Sequence, residues 1–277
     1  MPHTSMRDFV SCLLVSMLLL AAAAVHAAPT AHQIAGLPFV RIPVGRFKPL
    51  YRQTRQTTTL PVPSFMLMTR PVTNQDFLDF VLENPSYRRD QLARVFAEAG
   101  YLSQWAGPLS LGETARPLQP VTHVSWFAAR AFCSSKGLRL PTEAEWERAA
   151  LASATRADGS RDAVQRQAIL AWYATPRSTV PDVPFGPANY FGVHDLHGVA
   201  WEWVEDFNSV AVSEDPREQG ESAANRFCGG GALRAEDVSD YATFMRVAMR
   251  SSLQAAYTNA NLTFRCAADI EAIHANK

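Results

Sequence analysis

The chain has 277 residues, 47% of them hydrophobic and 19% charged, with 26 basic side chains balanced by 26 acidic ones. A net charge of zero leaves no electrostatic footprint for nucleic acid or for an anionic membrane surface, which excludes those partners as the main business of the molecule. The length suffices for one large domain with a full core.

The first segment does not read as part of a fold. Arg7 precedes an apolar run over residues 9–25, and Val25, His26 and Ala27 lead into Ala28 and Pro29. A charged start, an apolar middle and small residues at a cleavage point describe a secretory signal peptide over residues 1–27. An uncleaved anchor is the alternative, because the run is near the lower length limit for a membrane span. Residues 28–277 are then a single mature domain, expected to be periplasmic or secreted and free of the membrane once the signal is removed. Cys12 would leave with the signal, so the mature cysteines are Cys133, Cys228 and Cys266. An oxidising compartment favours one disulfide and one leftover thiol, and three pairings are possible.

In chain order, residues 39–47 alternate enough apolar and β-branched side chains to predict a strand, as do residues 64–68. Thr73 predicts an N-cap opening a helix through Asp76, Phe77, Phe80 and Val81. A second helix is predicted over residues 89–99, ending at Gly100, followed by loop over residues 105–119. Ser125 predicts the cap of a helix ending at Gly137. Thr142 and Glu145 have the spacing of a capping box, so another helix starts there. His123, beside a helix entry, reads as a hydrogen-bonded structural residue rather than a ligand. Residues 151–188 show no clear period and predict an irregular excursion. Residues 244–252 and 262–267 predict short closing strands or turns, and Arg246, Arg250 and Arg265 are candidate pins, since a guanidinium satisfies several oxygens at once. The alternative for these arginines is a patch that binds carboxylates.

Chemistry-capable residue types concentrate in YFGVHDLHGVAWEWVEDF, residues 190–207. Asp195 and Glu202 offer hard oxygen ligands, and Gly198 permits a sharp turn whose carbonyls would help complete a calcium shell. The bland reading is a tryptophan-anchored turn with solvated acids. A site built on His194 and His197 would need a third ligand that the sequence does not point to. The glycines at 229–231 lack the residues of a phosphate-binding loop and read as close backbone packing.

Taken in order, PVTNQDFLDF, PVTHVSWFAARAFC, GLRLPTEAEWERAA, FGVHDLHGVAWEWVEDF, RFCGGGALR, RVAMRS and LTFRCAAD resemble the sulfatase-modifying-factor family, whose best-known member is the formylglycine-generating enzyme. The resemblance runs from about residue 39 to residue 269. It implies an α+β fold of the formylglycine-generating-enzyme, C-type-lectin-like kind, with little regular secondary structure. It implies a calcium site on Asp195, Gly198, Ala200 and Glu202, and a disulfide between Cys133 and Cys266. The family enzyme also binds copper through two cysteines, because soft thiolates suit Cu(I). Here Tyr241 and Ala242 stand where the family has Tyr-Cys, Ala232 stands where it has a serine after two glycines, and Cys228 lies before the glycines. The expected cofactor is therefore structural calcium, with no copper. Two functions follow from the resemblance. One is an accessory or maturation factor for a periplasmic peptide, metalloenzyme or siderophore, with His194, His197, Tyr241 and Arg246, together with Glu236 and Asp237, as the groups able to act. The other is a non-catalytic lectin-like module that binds a partner protein.

Overall fold

The computed structural model describes residues 29–49, 59–175, 179–208 and 241–270. The signal-peptide reading, Cys228, the three consecutive glycines, Glu236 and Asp237 all lie outside the described residues. Within them, no helix is long and apolar enough to cross a membrane.

A four-stranded antiparallel sheet runs in the order β1 (His32–Ile34), β2 (Leu37–Ile42), β5 (Phe65–Met68) and β8 (Ala267–Asp269). The predicted strand over residues 39–47 is broken. Pro43 has no N–H to give to a ladder, and beyond it β3 (Gly45–Phe47) turns away to pair with β4 (Leu60–Val62) in a separate ribbon. A third ribbon joins β6 (Trp201–Trp203) in parallel with β7 (Leu262–Phe264), setting Glu202 opposite Thr263. All four residues of β5 are buried, because one face meets the core and the other is covered by helices and loops.

Helix α1 (Asn74–Glu83) opens on a complete capping box, with the Thr73 hydroxyl accepting from the Asp76 amide and the Asp76 carboxylate accepting from the Thr73 amide. Helix α2 (Trp126–Ser135) opens on Ser125, whose hydroxyl accepts from the Ala128 amide. Helix α3 (Glu143–Ala150) repeats the capping box with Thr142 and Glu145. Phe77, Phe132 and Phe264 pack α1 and α2 onto the third ribbon, with ring centroids 5.8 Å apart between the first two and 5.4 Å between the last two. Beside them the structure joins Cys133 of α2 to Cys266, 133 residues away. His123 holds a left-handed backbone (φ 54°) and lies 3.3 Å from the Ser103 hydroxyl through its ring Nδ1, the structural role read from the sequence.

Three further expectations fail. Residues 89–99 form successive turns instead of a helix; the Arg89 guanidinium donates to the carbonyls of Leu102 and Trp105, tying the segment to a neighbouring loop. The excursion over residues 151–188 contains helix α4 (Ala163–Ala174), capped by Asp162. None of its residues is fully buried, so it has no sharp apolar stripe to read. Residues 244–252 lie mostly in helix α5 (Tyr241–Ser251), not in strands. Its buried face is Ala242, Thr243, Arg246, Val247 and Arg250, and two arginines on an inward face hide the helical period.

Candidate functional site

The site is built where α3, α4, α5 and the 190–204 segment meet. Asp195 holds a left-handed backbone (φ 60°), and its carboxylate accepts from the amides of Phe185 (2.9 Å) and Gly186 (2.8 Å). His194 lies alongside, its Nδ1 donating to the Gly186 carbonyl at 2.8 Å. These bonds close the loop that delivers β6.

Glu202, at the centre of β6, is buried. Its Oε2 accepts from Trp146 Nε1 (2.7 Å) and Arg265 Nε (2.8 Å), and its Oε1 accepts from Arg265 Nη2 (2.7 Å). Arg265 is fully buried and also donates to the carbonyls of Met68 and His194. One guanidinium thus ties the sheet, the 190–204 turn and β6 together, as expected of an arginine pin.

A second charged cluster fills the space on the other side of Trp146. Arg246 forms a two-pronged pair with Glu147 (2.8 Å for each contact) and donates to Tyr173 Oη at 3.1 Å and to the Thr243 hydroxyl at 2.8 Å. Arg250 donates to Glu147 at 2.7 Å and to Glu143 at 3.3 Å, and its guanidinium lies 4.7 Å from the Trp146 ring centroid. Burial works to raise the Glu147 carboxyl, but Arg246 and Arg250 outweigh it and bring it down to about 2. Glu143 goes the other way: burial raises it, and its single long contact to Arg250 does not compensate. Burial also raises the Tyr173 phenol. The sequence expectation named Arg246 and Arg250 but missed Glu143, Glu147 and Tyr173. A signal was present, since the two acids and the two arginines are each spaced i, i+4 and so share a helix face.

Between this cluster and β6 lies a cavity of about 10 Å³, lined by Trp146, Tyr173, His197, Trp201, Arg246 and Arg250. That is room for one water. The Tyr173 and Trp201 rings stack over it, 5.2 Å apart and 7° from parallel. His197 donates from Nε2 to the Ala150 carbonyl at 3.3 Å, while its buried Nδ1 has no partner. Burial first, and then the positive Arg246, hold its pKa down at about 3. Of the six residues expected to act, four are described, and among these the structure brings together His197 and Arg246. His194 is spent on loop closure, and Tyr241 sits half exposed at the start of α5, its ring 6.2 Å from that of Phe244.

Asp195 and Glu202 are the two carboxylates expected to hold calcium. Oε2 of Glu202 accepts two hydrogen bonds, whereas its Oε1 and each oxygen of Asp195 accept one and retain a lone pair. Carboxylate and carbonyl oxygens, the types expected of Asp195, Gly198, Ala200 and Glu202, are the donors that calcium takes. Among the described residues no three His, Cys, Asp or Glu side chains cluster as a metal site.

The family model described as "Sulfatase-modifying factor enzyme 1-like domain" matches residues 26–270. The chain belongs to that family. The formylglycine-generating enzyme of Thermomonospora curvata is 33% identical over 60% of this chain and 61% of its own length, and that of Streptomyces coelicolor is 37% identical over 57% and 55%. The chain thus spans little more than half of those enzymes. A protein of Bos taurus named inactive C-alpha-formylglycine-generating enzyme 2 is 30% identical over 82% of this chain and 87% of its own. The solved structure of PvdO from Pseudomonas aeruginosa is 17% identical, covering 88% of this chain and 99% of its own at a TM-score of 0.47, too distant to bear on activity. The α+β fold, with its modest regular secondary structure, is that of the formylglycine-generating enzyme.

Proposed function

We propose that this sulfatase-modifying-factor protein is an exported accessory or maturation factor for a periplasmic or secreted substrate, such as a peptide, a metalloenzyme or a siderophore, and is not a copper-dependent formylglycine generator. Helix α5 carries the reading. It occupies the segment where the family resemblance places the copper thiolates, yet its buried face is Ala242, Thr243, Arg246, Val247 and Arg250. No cysteine occurs between Ala232 and Ser252. Hard guanidinium donors locked to carboxylates offer nothing to a soft Cu(I) ion. The test is to incubate the copper-loaded full chain with a peptide carrying the target cysteine of a sulfatase. The expected mass spectrum contains no formylglycine; its appearance refutes the proposal.

A specific observation favours the non-catalytic form of this role. Arg246, Arg250, Glu147 and Glu202 are bonded to one another or to a neighbour, and a histidine with a pKa near 3 is a poor general base at neutral pH. The name of the Bos taurus relative, which calls that protein inactive, agrees with this. Export is supported by the Cys133–Cys266 bond, since such bonds persist in oxidising compartments. Its check is the mature N-terminus, expected at Ala28; a mature protein that retains Met1 counts against export with cleavage.

Calcium on Asp195, Gly198, Ala200 and Glu202 remains part of the proposal, as a structural ion that would stiffen the turn feeding β6. Metal analysis is expected to find close to one calcium per chain, and chelation to lower Tm by mass action. Protein free of calcium, with an unchanged Tm, would leave Arg265 as the sole pin.

A further inference from the structure

A second cavity lies away from α5 among the described residues. It is a groove of about 470 Å³, lined by Tyr87, Leu92, Phe96, Trp126, Phe127 and Arg130. It shares no lining residue with the α5 cavity. Its volume lies in the range of small-molecule sites, about 300–1,000 Å³.

Two features of its walls point to a ligand. The first is aromatic construction. The Phe96 and Phe127 rings stand 5.4 Å apart at 75°, and Trp126 and Phe127 stand 5.5 Å apart at 78°. Trp126 is held in place by its Nε1, which donates to the Val204 carbonyl at 3.0 Å. Phe96 is nevertheless 44% exposed, which leaves an aromatic edge facing solvent. Edge-to-face walls of this kind accept a flat ring.

The second feature is the charge. Arg130 is the single charged residue of the lining. Its Nε donates to Glu205 at 3.0 Å, and its guanidinium lies over Trp126, 5.3 Å from the ring centroid. Among the described residues its Nη1 and Nη2 make no hydrogen bond, so the outer edge of the fork is available for a two-pronged contact. Glu205 stands on the Nε edge and is not part of the lining. Because Glu205 already offsets part of the charge on Arg130, the groove complements a monoanion better than a phosphate dianion.

We propose that this groove binds a small aromatic monocarboxylate, with its ring between Phe96, Phe127 and Trp126 and its carboxylate on the Nη edge of Arg130. The site stands apart from the proposed role of α5 and holds or fails independently of it.

Calorimetric titration of the full chain with 2-naphthoate and with the uncharged 2-naphthamide tests the assignment. The acid is expected to bind about tenfold tighter than the amide, the difference a charge-assisted contact supplies, and the advantage should shrink as salt is added. Arg130→Gln, a change at a half-exposed side chain, should bring the two ligands to equal affinity. Ala131→Trp, which fills the groove, should abolish binding of both. Equal affinities in the unaltered protein, undiminished naphthoate binding in Arg130→Gln, or no heat from naphthoate at millimolar concentration would each overturn the proposal.

Discussion

Trp146 separates two buried ion-pair clusters that differ in how they are wired. On one side Glu202 faces a single guanidinium, and Arg265 spends its remaining donors on backbone carbonyls from two distant segments. On the other side Glu147 is shared by two guanidiniums, Arg246 and Arg250, and its partners are almost all side chains. The first cluster is a strut without redundancy, and its loss disconnects backbone. The second is a redundant mesh that fastens α5 to α3 and α4, so no single bond decides it.

That contrast predicts an order of effects, with the clamp beside the strut first. Replacing Cys133 and Cys266 together by serine frees the segment that carries Arg265 and opens a loop of 133 residues. Chain entropy sets the cost at about 4 to 5 kcal/mol, read as a lowered urea midpoint.

Arg265→Leu should cost nearly as much, about 3 to 5 kcal/mol, because it strands a buried carboxylate whose sole remaining donor among the described side chains is Trp146. Arg246→Leu should cost less, about 1 to 3 kcal/mol, since Glu147 keeps Arg250. Equal losses from the two substitutions would break the comparison.

Acid should find the mesh side first. His197 has a folded pKa near 3 against an ordinary value of 6.5, so the unfolded chain takes up the proton first and stability falls as pH drops from about 6.5 toward 3. His123, also lowered by burial, adds a contribution of the same sign. Glu147, at about 2 against 4.5, contributes stability that is present above pH 4.5 and lost as pH falls through 2. Below pH 6.5 the histidines lower stability as pH falls, while Glu143, whose carboxyl burial raises, acts with the opposite sign above pH 4.5, so His197→Phe should remove the His197 share of the fall in urea titrations at stepped pH. The smallest expected effect is Thr142→Ala, about 1 kcal/mol from the cap of α3, which should shift the urea midpoint with little change in slope.

Local rules made parts of this molecule readable. Thr73, Ser125 and Thr142 cap helices because a hydroxyl one residue outside a helix meets amides that have no other partner, and that requirement is met within four residues. The Glu202 turn and the segment now seen as α5 were recognisable by family resemblance, as was the pairing of Cys133 with Cys266. Helix α5 itself was not legible as a helix. Its inward face carries Arg246 and Arg250, and a charged inward face makes sense only once Glu143 and Glu147 of α3 stand opposite it, about a hundred residues away in sequence.

The same physics explains the remaining division. Caps, turn breakers and the absence of cysteine near α5 are properties of neighbours along the chain, so the sequence by itself determined them. Which oxygen meets which guanidinium, why His197 is held neutral, and that Tyr87, Phe96 and Phe127 line one groove around Arg130 were decided by tertiary structure alone. Desolvation and Coulomb attraction act on distances in space, and those distances exist only after the segments have packed.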